Sequence, residues 1–299
     1  MALERGKVTL CFPNYTNSST MGDVISGNWR SELPLDHLKT PILSQVARSV
    51  DTNPNSTRFN FTLDSARSID VVTITNHNLT TASSIRVRVY GDTIVDVDDP
   101  NNLRWDSGWL QVWPSLFASN TLEWEFDNFW LGTPLESDII NLTTTTPIFL
   151  DNTEIVKSVL IEIEDEGNGN GYVQIGRVFV GGAWQPKYNA EYGISYGYDI
   201  GTTSETAFDA NKTTYFDVKT PKRFVSFNLS DLTEEEGFQE LLRMQRLQGI
   251  HGEILYTEDT ERGQGSFAKT FLGRNKEVSP LINPYFNSFS NSINLVEIL

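Results

Sequence analysis

The stretch RFNFTLDSARSIDVVTITNHNLTTASSIRVRVYGD, residues 58–92, decides the fold class. Apolar and polar residues alternate in RFNFTL (58–63) and again in SIRVRVYG (84–91), as they do in strands with one buried face. The run IDVVTIT (69–75) between them has the composition of a third strand. The stretch therefore predicts successive β-strands separated by polar turns.

The same pattern continues along the chain, with turns that contain Pro, Gly, Asn and Asp. Further strands are predicted at 121–126, 155–165, 172–182, 222–230, 252–259, 269–280 and 292–299. One helix is predicted at 233–249, because Thr233 and Glu236 have the spacing of a capping box and Gly249 suits a helix stop. The sequence thus predicts a mainly β fold, an antiparallel jelly-roll β-sandwich followed by a β-rich, barrel-like domain with one inserted helix.

These elements divide the chain into three predicted parts. Residues 1–20 are expected to form an N-terminal arm, and residues 21–186 the β-sandwich. Residues 187–299 are expected to form the β-rich C-terminal domain, which contains the helix and makes subunit contacts.

The composition limits the classes of function. The 299 residues are 38% hydrophobic and 11% aromatic, which is typical of a folded soluble chain. No run approaches the roughly 20 apolar residues that cross a bilayer, so membrane insertion is not expected. Cys11 is the single cysteine, which excludes an intramolecular disulfide and a thiolate-rich metal site. A net charge of −16 argues against the wrapping of nucleic acid phosphates.

The stretch EDEGNGNGYVQIGRVFVGG, residues 164–182, has closely spaced glycines like those of a phosphate-binding loop. A dinucleotide site, however, needs a helix N-terminus after its glycines, and here a strand follows. Gly and Asn also supply the positive φ angles of tight turns. The favoured interpretation is a β-hairpin that joins strands 155–165 and 172–182.

The acidic turn DVDDPNN is a candidate cation site. Asp96, Asp98 and Asp99 would offer carboxylate oxygens, the ligands that Ca²⁺ prefers, but the turn lacks the ligand order of an EF-hand. A solvated turn is the default interpretation. No cofactor is expected, and Ca²⁺ is the one ion for which a site can be named.

No histidine motif indicates catalysis. The three histidines, His37, His77 and His251, have no zinc-binding helical spacing. Glu162 and Glu164 share one face of a strand, where an ordinary solvated pair is favoured over a glycosidase pair. The sequence predicts a protein that is not an enzyme.

Tryptophans are concentrated in RWDSGWLQVWPSLF. Exposed, Trp105, Trp109 and Trp113 would stack on sugar faces or anchor a protein interface. If these side chains are buried, they form part of the core of the sandwich. This interpretation is favoured for most of the aromatic residues of the segment. The three tryptophans are nevertheless the candidate carbohydrate-binding residues.

Several segments together resemble a known family. GNWRSELPLDHL, the stretch of residues 58–92, RWDSGWL and GYVQIGRVFVGGAWQP resemble discoidin-like, galactose-binding-like jelly-roll domains of bacteriophage tail proteins. YGYDIG, KRFVSFNLSDLTEEEGFQELLRMQRLQGIHGEILY and TFLGRNKEVSPLINPYFNSFSNSINLVEIL resemble the terminal portion of such proteins. The resemblance spans roughly residues 20–299, although each motif is short.

The resemblance implies a structural virion protein, a minor tail or baseplate component at the tail tip of a long-tailed phage. Its partners would be other tail proteins and copies of itself, and its location the virion after synthesis in the host cytoplasm. The alternative is a carbohydrate-binding module that contacts a host-surface glycan, since jelly-roll domains of this type often bind sugar through loops at one end. A glycan-degrading enzyme is the third hypothesis.

Overall fold

The structure of the chain is a computed structural model. It describes residues 3–17, 20–114, 132, 134, 142–206, 213–263 and 266–299. The strand predicted at 121–126 lies outside these residues.

The described residues form eighteen strands and a few short helices. The strands are β1 Thr9–Cys11, β2 Met21–Ile25, β3 Ala47–Arg48, β4 Phe59–His77, β5 Ser84–Tyr90, β6 Leu103–Asp106, β7 Leu110–Gln111, β8 Thr145–Glu164, β9 Gln174–Gly181, β10 Ala183–Trp184, β11 Ser195–Asp199, β12 Thr203–Thr206, β13 Thr214–Asp217, β14 Lys222–Leu232, β15 Ile254–Thr257, β16 Thr270–Asn275, β17 Ile282–Tyr285 and β18 Ser288–Glu297. The helices are a 3-10 helix Leu35–Lys39, α1 Pro54–Thr57, a π-helical segment Glu236–Leu241 that continues into α2 Leu242–Gln248, and α3 Ser266–Lys269. The prediction of a mainly β fold with antiparallel sheets is confirmed. None of the described helices is long and apolar enough to cross a membrane.

The strands of the first sheet form a β-sandwich. Two long strands, β4 and β8, bend and pass from one layer to the other. The order of the sheet is β3-β9-β4-β8-β5-β6, with β2 on β4 and β7 on β5. The first part of β4 pairs with β2 and with the end of β8, whereas the second part pairs with β9 and the start of β8. Register shifts separate the two parts. The bent strands therefore contribute to both layers of the sandwich.

One hydrophobic core fills the sandwich. Phe59 and Phe61 come from the first part of β4, and Ile74 from the second part, and all three belong to the same buried cluster. Val87 of β5 and Val178 of β9 join them. This is the core that the alternation in residues 58–92 predicts, because one face of each strand turns inward.

The second sheet packs against the outer face of the sandwich. Its order is β10-β1-β15-β16-β18-β14-β11, with β17 on β18. Val71 and Phe179 of the sandwich form a buried cluster with Cys11, Leu255 and Leu272 of the second sheet. Residues Ile175 to Gly181 of β9 are all buried, because β9 is covered on both faces.

The helix lies in the C-terminal part, where its apolar face covers the second sheet. Leu241 and Met244 belong to the second buried core. The predicted capping box is confirmed, since Thr233 N donates to Glu236 Oε2 at 2.9 Å and Glu236 N donates to Thr233 Oγ1 at 3.3 Å. Gly249 ends the helix with a positive φ of 49°.

Two expectations differ from the structure. Residues 1–20 were expected to be an arm, but Thr9–Cys11 forms β1, which is inserted between β10 and β15. The hairpin predicted between 155–165 and 172–182 is wrong, because β4 lies between β8 and β9 in the sheet. The glycine-rich loop is still a turn, but it connects strands that do not pair with each other.

Two ion pairs are buried, and the first of them joins the sheets. Arg177 of β9 donates from Nε to Glu253 Oε1 at 3.0 Å and from Nη2 to Glu253 Oε2 at 2.8 Å. Its Nη1 donates to the carbonyls of Thr16 and Leu38. In the second sheet Arg223 pairs with Glu297, and both side chains are buried. Each guanidinium is thus satisfied by several acceptors, which offsets the cost of its burial.

We expect Glu253→Gln to lower the free energy of unfolding by about 3–5 kcal/mol, because it leaves the fully buried Arg177 charge without a counterion. Urea unfolding at neutral pH measures the effect. The matched control is Glu261→Gln, whose ion pair with Arg5 is exposed and which should change stability by less than about 1 kcal/mol. Equal effects of the two substitutions would contradict the prediction.

Candidate functional site

A cleft opens at one end of the sandwich, where two connections meet. The β4–β5 connection contributes residues 78–81, and the β8–β9 connection contributes residues 168–170. The cleft has a volume of about 480 Å³. Trp113, Leu142 and Thr144 complete its lining.

Three side chains hold the two connections together. Asp165 accepts hydrogen bonds from Thr80 N at 3.1 Å and from Thr80 Oγ1. Asn168 Nδ2 donates to the Asn78 carbonyl at 3.0 Å and to Asp165 Oδ2 at 2.8 Å. Asn78 in turn donates from Nδ2 to the Tyr172 carbonyl at 3.0 Å and accepts from Gln174 N at 2.7 Å. Because Asp165 and Asn168 are buried, these bonds fix the shape of the cleft.

The base of the cleft is uncharged. His77 is buried, and burial lowers its pKa to about 3, so the ring is neutral at physiological pH. Its Nδ1 accepts from Leu79 N at 3.4 Å, which leaves Nε2 to donate to Thr146 Oγ1 at 2.9 Å. The ring of Trp113 packs edge-on to His77, with centroids 6.0 Å apart.

The rim of the cleft carries hydroxyl and amide groups. Thr81 is half-buried, and Asn170 is exposed. A hydroxyl donates and accepts, and an amide offers both functions on separate atoms. The described lining residues include no Asp, Glu, Lys or Arg, although the chain has a net charge of −16. The cleft therefore suits a neutral, polar ligand surface.

The three candidate tryptophans lie in different environments. Trp113 is 4% exposed, and its Nε1 donates to the Leu79 carbonyl at 3.1 Å. It forms part of the core, so it cannot offer a ring face for stacking. Trp105 on β6 is half-buried and donates to Asp151 Oδ2 at 2.8 Å. Trp109, between β6 and β7, is 43% exposed, and it alone of the three keeps a large accessible surface.

The three candidate calcium ligands have other partners. Asp98 Oδ1 lies 3.0 Å from Arg88 Nη1. Asp96 and Asp99 accept hydrogen bonds from backbone N–H groups two residues further along the chain. No group of three or more acidic, His or Cys side chains suited to a metal occurs in the described ranges. The contacts therefore favour the solvated-turn interpretation.

The outer face of β5 is a network of ion pairs. Arg88 donates to Glu162 Oε2 from Nε at 3.1 Å and from Nη2 at 2.8 Å. Arg86 forms a two-bond contact with Asp106 and lowers the pKa of that carboxyl. Glu162 is thus held by an arginine, whereas Glu164 is exposed. The two carboxylates predicted as a solvated pair do not have equivalent surroundings.

Sequence reasoning missed the cleft itself. The sequence predicts turns at residues 78–81 and 168–170, and the available signal was the Asn content of both turns, with Thr80 and Thr81 in the first. The two turns are about ninety residues apart in sequence, as the Asn78–Asn168 bond shows. Only the folded sandwich brings them together.

Comparisons with known proteins gave matches among solved structures only. No family model matches the chain, and no curated protein does. The family 32 carbohydrate-binding module of NanJ from C. perfringens, solved in complex with galactose, is 13% identical, with a TM-score of 0.34. The match covers 59% of this chain and 99% of that one. A family 32 module from a family 31 glycoside hydrolase of Clostridium perfringens is 11% identical, with a TM-score of 0.33 over 57% of this chain and 98% of that one.

The neutral state of His77 predicts a pH dependence of stability. In the unfolded chain a histidine titrates near pH 6.5, whereas burial lowers the pKa in the fold to about 3. The unfolded chain therefore binds a proton that the folded chain rejects. The stability that the neutral His77 ring contributes to the fold is fully present above pH 6.5, and it is lost progressively as the pH falls toward about 3.

We expect His77→Gln to lose less stability than the wild type between neutral pH and about pH 4.5, by roughly 2–3 kcal/mol. Urea unfolding at the two pH values measures the difference. His251→Gln, at an exposed position, is the control and should follow the wild type. Parallel losses in all three proteins would rule out His77 as a source of the pH dependence.

Proposed function

We propose that the chain is a non-catalytic carbohydrate-binding protein that holds a sugar in the cleft at the loop end of the sandwich. The single observation that carries the proposal is the lining of this cleft, which combines hydroxyl, amide and apolar groups with a neutral base. A sugar ring presents hydroxyl groups at its edge and C–H groups on its faces. Both kinds of surface have counterparts in this lining.

The size and rigidity of the cleft support the proposal. About 480 Å³ falls within the range of roughly 300–1,000 Å³ that is usual for small-ligand sites. The bonds from Asp165 and Asn168 fix the loops before any ligand arrives. Preorganised loops reduce the ordering cost of binding.

Polar contacts, rather than aromatic stacking, are the proposed source of affinity. Trp113 is covered by its neighbours, and Trp109 lies on the β6–β7 connection, which does not line the cleft. Thr81 and Asn170 are the accessible groups of the rim. The proposed binding residues are therefore those of the two loops.

We expect the double substitution Thr81→Ala and Asn170→Ala to weaken sugar binding about tenfold, since each removed hydrogen bond contributes about 0.5–1.5 kcal/mol. Calorimetry with a panel of neutral sugars that includes galactose and N-acetylglucosamine measures the affinity. Trp109→Ala is the control and should bind as the wild type does. The cleft is the wrong site if Trp109→Ala abolishes binding and the loop variant retains it.

A hydrolysis assay tests the absence of catalysis. Glu162 is bound to Arg88, which does not favour its use as a general acid. Incubation of the protein with oligosaccharides should release no reducing ends. Release of sugar at a rate that Glu162→Gln abolishes would favour the glycan-degrading alternative.

A second proposed function is assembly in a phage tail tip, for which a different part of the chain offers a surface for self-association. We call the described residues 187–206 and 213–220 the exposed aromatic segment. None of these residues is buried, although strands β11, β12 and β13 lie within it. Eight large apolar side chains here are more than half exposed: Tyr188, Tyr192, Tyr196, Tyr198, Ile200, Tyr215, Phe216 and Val218.

We propose that a second copy of the chain covers this segment. β11 is the last strand of the second sheet, and among the described strands none pairs with its outer edge. β12 and β13 pair only with each other, and an isolated hairpin is marginally stable in water. A free sheet edge and an uncovered hairpin in one segment are complementary to the same segment of a second copy.

We expect the full-length protein to self-associate with increasing concentration, as sedimentation velocity would show. Tyr198→Glu combined with Phe216→Glu should leave a monomer, because charges replace apolar contacts. Tyr285→Glu combined with Phe286→Glu, at exposed aromatic positions outside the segment, is the matched control and should associate like the wild type. A wild-type protein that stays monomeric would contradict the assembly proposal.

The proposed location has its own test, which is the labelling of intact virions with an antibody against the protein. Label is expected at the tail tip.

A further inference from the structure

Two arginines, Arg30 and Arg48, lie together on the sandwich, and neither forms an ion pair with a carboxylate of the described residues. Arg30 N donates to the Arg48 carbonyl at 2.9 Å, so the two residues are neighbours on adjacent backbone segments. Both guanidinium groups lie over the ring of Tyr172, at 4.1 Å for Arg48 and 5.9 Å for Arg30. Two positive charges are therefore held on one side of the sandwich by the same aromatic ring.

The described protein groups that contact these two guanidinium groups are neutral. Arg48 donates from Nε and Nη2 to the neutral Gln174 Oε1, at 3.3 and 2.7 Å. The ion pairs of the described residues include neither Arg30 nor Arg48, although acidic residues outnumber basic ones by 39 to 23. Other arginines of the sandwich, such as Arg86 and Arg88, do pair with carboxylates.

The arginine pair is connected to the cleft through a single side chain. Asn78 lines the cleft, and its Nδ2 donates to the carbonyl of Tyr172 at 3.0 Å. Its Oδ1 accepts from the backbone N–H of Gln174, the residue that holds Arg48. Tyr172 also follows Asn170 of the rim by two residues. The backbone of Tyr172 and Gln174, whose side chains contact Arg48, is thus bonded directly to a residue of the cleft lining.

We propose that Arg30 and Arg48 form a subsite for the anionic group of an acidic glycan whose neutral part occupies the cleft. Guanidinium groups bind carboxylates and sulfates through charge-assisted hydrogen bonds. Arg48 is held by Tyr172 and Gln174, so little of its side-chain freedom remains to be lost on binding. The inference rests on the proposed function and specifies its substrate class as glycans with an acidic substituent.

The test compares two ligands that differ at a single carboxyl group, a disaccharide of galactose and glucuronic acid and its methyl ester. We expect the wild type to bind the acid about tenfold more tightly than the ester, with the difference reduced at high salt. Arg30→Gln and Arg48→Gln should each lose most of this preference and bind the ester as the wild type does. Arg104→Gln, at an exposed position elsewhere on the sandwich, is the control and should keep the preference.

The outcomes separate the two proposals. Equal binding of acid and ester by the wild type overturns the arginine subsite and leaves the cleft proposal standing. A preference that survives both arginine substitutions also overturns the subsite. Failure of the wild type to bind either ligand or any sugar of the neutral panel overturns the cleft proposal and this inference with it.

Discussion

The buried contact between Arg177 and Glu253 is the constraint on which the arrangement of the two sheets depends. Arg177 is fully buried in β9, and Glu253 directly precedes β15 of the second sheet. A buried guanidinium must have its donors satisfied, and here the acceptors come from Glu253, Thr16 and Leu38. One side chain thus fixes the second sheet and the N-terminal segment against the sandwich.

The cleft inherits its geometry from this arrangement. The β8–β9 connection ends in β9, which is paired with β3 and β4 and covered on its outer face by the second sheet. With β9 held, Asp165 and Asn168 can bind the β4–β5 connection in one geometry. The base of the site is part of the sandwich core, whereas the rim consists of short polar loops. The strands therefore supply the stability of this end of the sandwich, and the loops that join them supply the proposed binding residues.

The sequence predicted where the strands lie, but it did not predict which strands pair with each other. The alternation in RFNFTL and SIRVRVYG was sufficient because one face of each strand is buried. It could not show that β4 separates β8 from β9, since strand pairing depends on contacts between distant segments. The three residues of β1 are too few for a periodic pattern, so an arm was expected there. For the site, the sequence suggested three tryptophans. The structure instead brings together a loop that contains Asn and Thr and a loop that contains Asn and Gly.

The sequence by itself determined the β class, the capped helix and the absence of thiolate metal chemistry, because these follow from local pattern and composition. The tertiary structure decided which turns meet to form the cleft, that Trp113 is buried, and that Arg30 and Arg48 share the ring of Tyr172. It also decided that eight apolar side chains of the exposed aromatic segment stay uncovered within one chain. The physical reason is that burial and proximity depend on how distant segments pack, and a local pattern carries no record of that packing.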